Sequence, residues 1–217
     1  MDSSPGLSPL QLAVLREFFA REQRFVLTGG GALVGFHLRH RTSDDLDLFT
    51  KPPCDLEDGK RALAAAAAAV GGTIESVKTY PEFHRALIRR GDESVLVDLV
   101  VDRAPDVDAA ELVAGGVRIH SLREIAANKV CALLGRGEVR DLVDLHLILR
   151  KGLDLGAILA DAERKDGGVA PATLAWLLDG LRIRPDASVP AVTAAELEAF
   201  RVDLVRRLRR LDLPKDS

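Results

Sequence analysis

Asp45 and Asp47 stand two apart in Asp45-Leu46-Asp47-Leu48-Phe49, where polar and apolar side chains alternate with the period of a half-buried strand. On such a strand both carboxylates share one face, about 7 Å apart along the chain. Two like charges on one face are costly unless a cation lies between them. Hard oxygen donors arranged this way suit Mg²⁺, which completes its octahedron with substrate phosphate oxygens. Asp44 falls on the opposite face as a solvated neighbour. A third carboxylate interrupts the apolar run Val95-Leu96-Val97-Asp98-Leu99-Val100-Val101. An acid in a buried strand needs a partner, so Asp98 is either a metal ligand or hydrogen-bonded internally.

Upstream, the strand-like Phe25-Val26-Leu27 breaks into Thr28-Gly29-Gly30-Gly31, and a short helix from Ala32 to about Leu38 follows. Glycines between a strand and a helix can turn several N–H groups in one direction and let a phosphate approach the backbone. An ordinary tight turn explains the same run equally well. Downstream, a helix expected over 122–134 has the apolar stripe Leu122, Ile125, Ala126, Val130, Leu133 and Leu134, with Lys129 inside it. A lysine there either snorkels to the surface or faces an anion. In the next helix Arg140 and Asp144 lie one turn apart beside Asp141, the geometry of an i,i+4 ion pair.

The elements that must position these residues fall into two halves. Ser8 caps a helix with Pro9 at its first position, expected to run to about Gln23. Strands are expected near 25–27, 45–49, 73–79, 83–89, 94–101 and 117–120, with an alanine-rich helix over 55–70. Gly91-Asp92 separates two of the strands in the manner of a hairpin. Helices are expected at about 122–134, 138–150, 154–164, 171–181 and 194–211. The class is therefore α+β, a small mixed sheet flanked by helices (residues 1–120) followed by a helical bundle (121–217). A cleft is expected where the halves meet, completed by the second.

Composition bounds the function. The 217 residues carry 30 basic and 33 acidic side chains, a net charge of −3, which excludes a uniformly basic nucleic-acid coat protein. A local basic cluster remains, Arg206, Arg207, Arg209 and Arg210, on a helix whose apolar stripe is Leu204, Leu208 and Leu211. Cys54 and Cys131 form neither a disulfide framework nor a metal-ligand spacing, as expected of thiols in a reducing compartment. Met1 to Gly6 does not read as a signal peptide, and the longest apolar run, Ala62 to Val70, is too short to span a bilayer. The expectation is a cytoplasmic protein with no membrane partner.

Taken in order, Gly-Gly, Arg-x-Ser-x-Asp-x-Asp, a strand Asp, a Lys and Arg-Asp-x-x-Asp resemble the AbiEii/AbiGii family of nucleotidyltransferase-like toxins, within the DNA polymerase β-like nucleotidyltransferase superfamily. The resemblance covers roughly residues 24–150. It places the family's glycine pair on Gly29 and Gly30, with Gly31 following, and its metal-binding Asp-x-Asp on Asp45 and Asp47, preceded by Arg41 and Ser43. Its lysine falls on Lys129, and its Arg-Asp-x-x-Asp element on Arg140, Asp141 and Asp144. The resemblance implies transfer of a nucleotide from a nucleoside triphosphate to a hydroxyl at a two-Mg²⁺ site. Asp98 would complete the metal site or help deprotonate that hydroxyl, and Lys129 would neutralise the triphosphate. It further implies the toxin of a toxin–antitoxin or abortive-infection system, with the tRNA 3′ end as acceptor and a cognate antitoxin as partner. The alternatives are an aminoglycoside-type small-molecule nucleotidyltransferase and a non-catalytic nucleotide-binding regulatory protein.

Overall fold

The computed structural model describes residues 6–184 and 191–212, so most of the stretch Met1 to Gly6, read above as no signal peptide, lies outside the described residues. Two compact units divide the chain. One comprises the described residues up to Arg103 together with Asp108–Ser121, and the other Ala104–Val107 and the residues from Leu122 onward.

The first unit is built on a seven-stranded mixed sheet. Its strands are β1 (Val26–Thr28), β2 (Asp45–Thr50), β3 (Thr73–Tyr80), β4 (Phe83–Arg90), β5 (Glu93–Val101), β6 (Glu111–Leu112) and β7 (Arg118–Ile119), in the order β3-β4-β5-β2-β1-β7-β6. β3, β4 and β5 form an antiparallel meander, whereas β2 lies parallel to β5 and antiparallel to β1. Alternation decides which face is which. Leu46, Leu48, Ala86, Ile88, Val95, Val97 and Leu99 are buried on one face, while Asp45, Asp47, Arg85 and Leu96 on the other are half-buried.

Helices α1 (Pro9–Phe19) and α3 (Leu56–Ala69) cover the buried face. α1 opens with a capping box between Ser8 and Gln11, with Pro9 in its first turn. It ends at Phe19, earlier than the expected Gln23, and Phe25 then packs edge-on against Phe18 with ring centroids 5.5 Å apart. Gly59 lets α3 approach the sheet closely. A β-carbon there would meet Phe25 Cζ at 2.6 Å and Leu99 Cδ1 at 3.3 Å.

The glycine run differs from expectation. Gly29–Ala32 already forms a helical turn, α2, and Leu33–His37 continues it as a π-helical turn. The short edge strand β6 carries no alternation long enough to be read from sequence.

The second unit is helical: α4 (Leu122–Arg136), α5 (Val139–Leu149), α6 (Leu155–Lys165), α7 (Pro171–Gly180) and α8 (Ala194–Leu211). Their apolar stripes meet around Val130, Leu133, Leu145, Leu159, Leu174, Leu178, Leu204 and Leu208. Among the described residues no helix is long and apolar enough to cross a membrane.

Substituting Gly59→Ala should destabilise the chain by about 1–3 kcal/mol, because Phe25 and Leu99 have no free space to yield. Urea denaturation measures this, and an unchanged midpoint would show that α3 does not rest on the sheet as described.

Candidate active site

Strand register gathers the candidate residues of the first unit into a transverse row. Thr28 on β1 lies opposite Asp47 on β2, Asp47 opposite Asp98 on β5, and Asp98 opposite Arg85 on β4. Laterally paired residues point to the same face, so the hydroxyl, two carboxylates and a guanidinium stand side by side. Asp45, two residues before Asp47, joins them on that face.

Asp98 is 5% exposed and held side-on by Arg85. Nε donates to Oδ1 at 2.7 Å and Nη2 to Oδ2 at 2.6 Å. The hydrogen bonding expected of a buried acid is thus supplied by Arg85. The Arg85 guanidinium is raised above its ordinary pKa, first by hydrogen bonding to Asp98, against desolvation, and then by the charges of Asp98, Asp45 and Asp47. The field of all three acids therefore reaches it.

The glycine turn closes over this row. Gly29 has φ +62°, and a β-carbon there would overlap the Asp47 carboxylate, coming within 3.0 Å of its Cγ. A β-carbon on Gly30 would meet Ser43 Oγ at 2.9 Å and Arg41 Nη2 at 3.1 Å. Ser43 is buried, and its hydroxyl faces Asp45, 3.4 Å from Oδ1. Gly29, Gly30, Arg41, Ser43, Asp45 and Asp47 are thus brought together. Gly31 instead packs inward, where a β-carbon would lie 3.3 Å from the Asp45 carbonyl oxygen, a close approach of α2 to β2.

Three features of this donor set fit a divalent cation. The Asp45 and Asp47 carboxylates share a half-buried face. The glycine at 29 lets the backbone pack directly against the Asp47 carboxylate, where a side chain would displace it. Thr28 Oγ1, beside Asp47, is buried at 2% exposure and has no hydrogen-bond partner among the described residues. A buried hydroxyl without a partner costs free energy, so a ligand on this face would satisfy it.

Within the second unit, Lys129 does not snorkel outward. It is 5% exposed, and its ammonium donates to Asp141 Oδ1 at 2.9 Å and pairs with Asp144 Oδ2 at 2.6 Å. Arg136 also forks onto Asp141, at 2.8 and 2.9 Å. Burial pushes the Asp141 carboxyl up, but Arg136 and Lys129 outweigh it and hold the group below the usual carboxylate range. The expected Arg140–Asp144 pair does not form. Arg140 reaches out to Glu138 at 2.7 Å, because Asp144 turns inward to Lys129. On α8, Arg209 pairs with Asp179 and Arg206 with Asp203, so part of the basic cluster is already neutralised.

Sequence reasoning missed Arg85. The signal was available: a two-residue turn at Gly91-Asp92 pairs Arg90 with Glu93, and five residues further out on each strand it pairs Arg85 with Asp98.

The chain is a nucleotidyltransferase, as its family shows. The model of the AbiEii nucleotidyl transferase toxin family, of type IV toxin–antitoxin systems, matches residues 13–214, and the chain belongs to that family. No curated protein sequence matches significantly. JHP933 of Helicobacter pylori is similar in structure, with TM-score 0.59 and 22% identity over 93% of this chain and 91% of that one. The nucleotidyltransferase toxin MenT4 of Mycobacterium tuberculosis has TM-score 0.60 and 17% identity, covering 95% of this chain and 83% of that one. At these identities the likenesses bear on the fold.

Gly29→Ala should cost activity far more than stability. The left-handed φ adds about 1–2 kcal/mol of strain, whereas displacing Asp47 by about an ångström should lower transfer about a hundredfold. A transfer assay beside a melting curve separates the two, and near-normal transfer would contradict the role of the cradle. Lys129→Met should cost roughly 3–5 kcal/mol by leaving buried carboxylates uncompensated, while Arg140→Ala should stay within about 0.5 kcal/mol. The depressed Asp141 pKa carries a sign. The unfolded chain protonates Asp141 near pH 4, the folded chain only lower, so this stabilisation is complete above that value and is lost as pH falls through the folded pKa. Urea midpoints between pH 5 and 3 should therefore fall more steeply for the unaltered chain than for Asp141→Asn. Equal slopes would contradict the assignment.

Proposed function

We propose that this nucleotidyltransferase moves a nucleotide from a nucleoside triphosphate to the 3′ end of tRNA, dependent on Mg²⁺, and acts as a toxin restrained by a cognate antitoxin. The observation that carries the reading is the Asp45–Asp47 pair on one sheet face, directly beneath the backbone of Gly29. Asp45 and Asp47 would hold the ion, and the ion when bound offsets charge on the phosphates and on the leaving pyrophosphate.

The chain's own residues supply position. Gly29 and Gly30 let the backbone lie directly against Asp47, Ser43 and Arg41, and the Arg41 guanidinium is a planar cationic fork suited to phosphate oxygens. Ser43 orients the Asp45 carboxylate. Thr28 offers an unused hydroxyl at the edge of the same row. Catalysis of this type is mostly in-line positioning of the acceptor hydroxyl against the α-phosphate and stabilisation of charge, which a pre-formed row of this kind provides. Lys129, Asp141 and Asp144 we assign to the nucleotide through the family motif. Their mutual ion pairs would hold the lysine in a fixed geometry.

Type IV toxin membership supports the toxin and antitoxin parts of the reading. The tRNA acceptor rests on family resemblance and on the α8 arginines Arg207 and Arg210, which make no ion pair among the described residues and could meet a phosphate backbone.

Purified protein incubated with Mg²⁺, each labelled triphosphate, and either total tRNA or an aminoglycoside panel tests this. Label should enter tRNA, and Asp45→Ala or Asp47→Ala should abolish transfer while the protein remains folded by circular dichroism. Label in the small molecules instead would replace the acceptor, and binding of triphosphate without transfer would favour a regulatory role. Activity retained in either aspartate variant would overturn the metal assignment.

A further inference from the structure

Asp98 is the residue a second metal ion would need, yet its carboxylate is already matched. Both of its oxygens receive hydrogen bonds from Arg85, in the side-on geometry that is the strongest form of this pair. The guanidinium, 37% exposed in its side chain, also lies 5.8 Å from the centroid of the Phe83 ring on the same strand face. Arg85 offsets the charge of Asp98 itself, which leaves Asp45 and Asp47, with Arg41 nearby, as the carboxylates for an ion. A cation placed on Asp98 would also lie against the guanidinium.

Building on the metal reading of Asp45 and Asp47, we propose that Arg85 is a positioning residue standing where a second cation would be. It holds Asp98 as a fixed counter-charge, so the site takes one divalent ion, on Asp45 and Asp47, in place of the two expected from the resemblance. Asp98 then acts through Arg85 and Asp47, keeping the row in register and the guanidinium at a constant distance from the ion site. A permanent cation at this place needs no recruitment from solution, and it makes the compensation of the Asp98 charge independent of metal concentration.

The test is the Mn²⁺ binding isotherm of the full chain, read by electron paramagnetic resonance without nucleotide. The unaltered protein should bind one ion per chain, and Asp47→Asn should lose it. Arg85→Gln, which frees Asp98, should admit a second ion or tighten binding more than about threefold. The charge-conserving double variant Arg85→Gln/Asp98→Asn should return to one ion with affinity within about threefold of the unaltered chain. Circular dichroism and melting temperature check that each variant is folded. Two ions on the unaltered chain, or loss of binding in the folded double variant, would make Asp98 a ligand and overturn the proposal. Should Arg85→Gln fail to fold, Arg85→Lys takes its place. Lysine keeps the charge without the fork, so one ion is expected and two would contradict the role of charge. Binding unaffected by Asp47→Asn would instead overturn the underlying metal reading, so the two failures are distinguishable.

Discussion

Lateral register across four strands is the constraint on which the site depends. β2 pairs with β5 in parallel while β4 and β1 flank them antiparallel, and this brings Thr28, Asp47, Asp98 and Arg85 into one line. Side-chain period is two, so a slip of one residue in any of these pairings would send its contribution to the buried face. The apolar side of the same strands prevents that slip: Leu46, Leu48, Val97, Leu99, Ala86 and Ile88 are buried together and can be buried in only one register. Core packing on one face thus fixes chemistry on the other. Gly29 then brings the backbone down onto Asp47 where any side chain would keep it away.

The helical unit follows a related rule with different elements. Lys129, Asp141 and Asp144 are all buried, and Arg136 closes the group from the exposed side. Buried ions are tolerated only when fully paired, and pairing at this density sets the geometry of α4 against α5. A second closed set lies on α4 and α6, where Arg123 and Arg164 both hold the Asp161 carboxylate and Lys165 pairs with Glu124. These networks place charges where the apolar stripes alone would leave the helices free to slide.

Much of this was legible in the sequence because it is local. The period of β2 exposes Asp45 and Asp47, the isolated acid in β5 exposes Asp98, and Lys129 betrays itself by standing in an apolar stripe. The helix start marked by a cap and a proline also read well: Ser8 and Pro9 open α1. What was not legible depends on pairing between distant segments. Nothing within β2 specifies β5 as its parallel neighbour, so the row could be suspected but not aligned. Arg85 illustrates the boundary between the two cases, since its own strand marks it only as one polar residue among several. The π-helical turn over Leu33–His37 buries Leu33 and Val34, and no propensity in the sequence signals it.

The central claim is that one divalent ion sits on Asp45 and Asp47 while Arg85 keeps Asp98 out of its coordination. Anomalous diffraction from crystals grown with Mn²⁺ and a non-hydrolysable triphosphate analogue addresses it directly. A single Mn²⁺ peak within coordination distance of Asp45 and Asp47, with Asp98 still forked to Arg85, is the result the account predicts. A peak coordinated by Asp98, with Arg85 swung away, would contradict it.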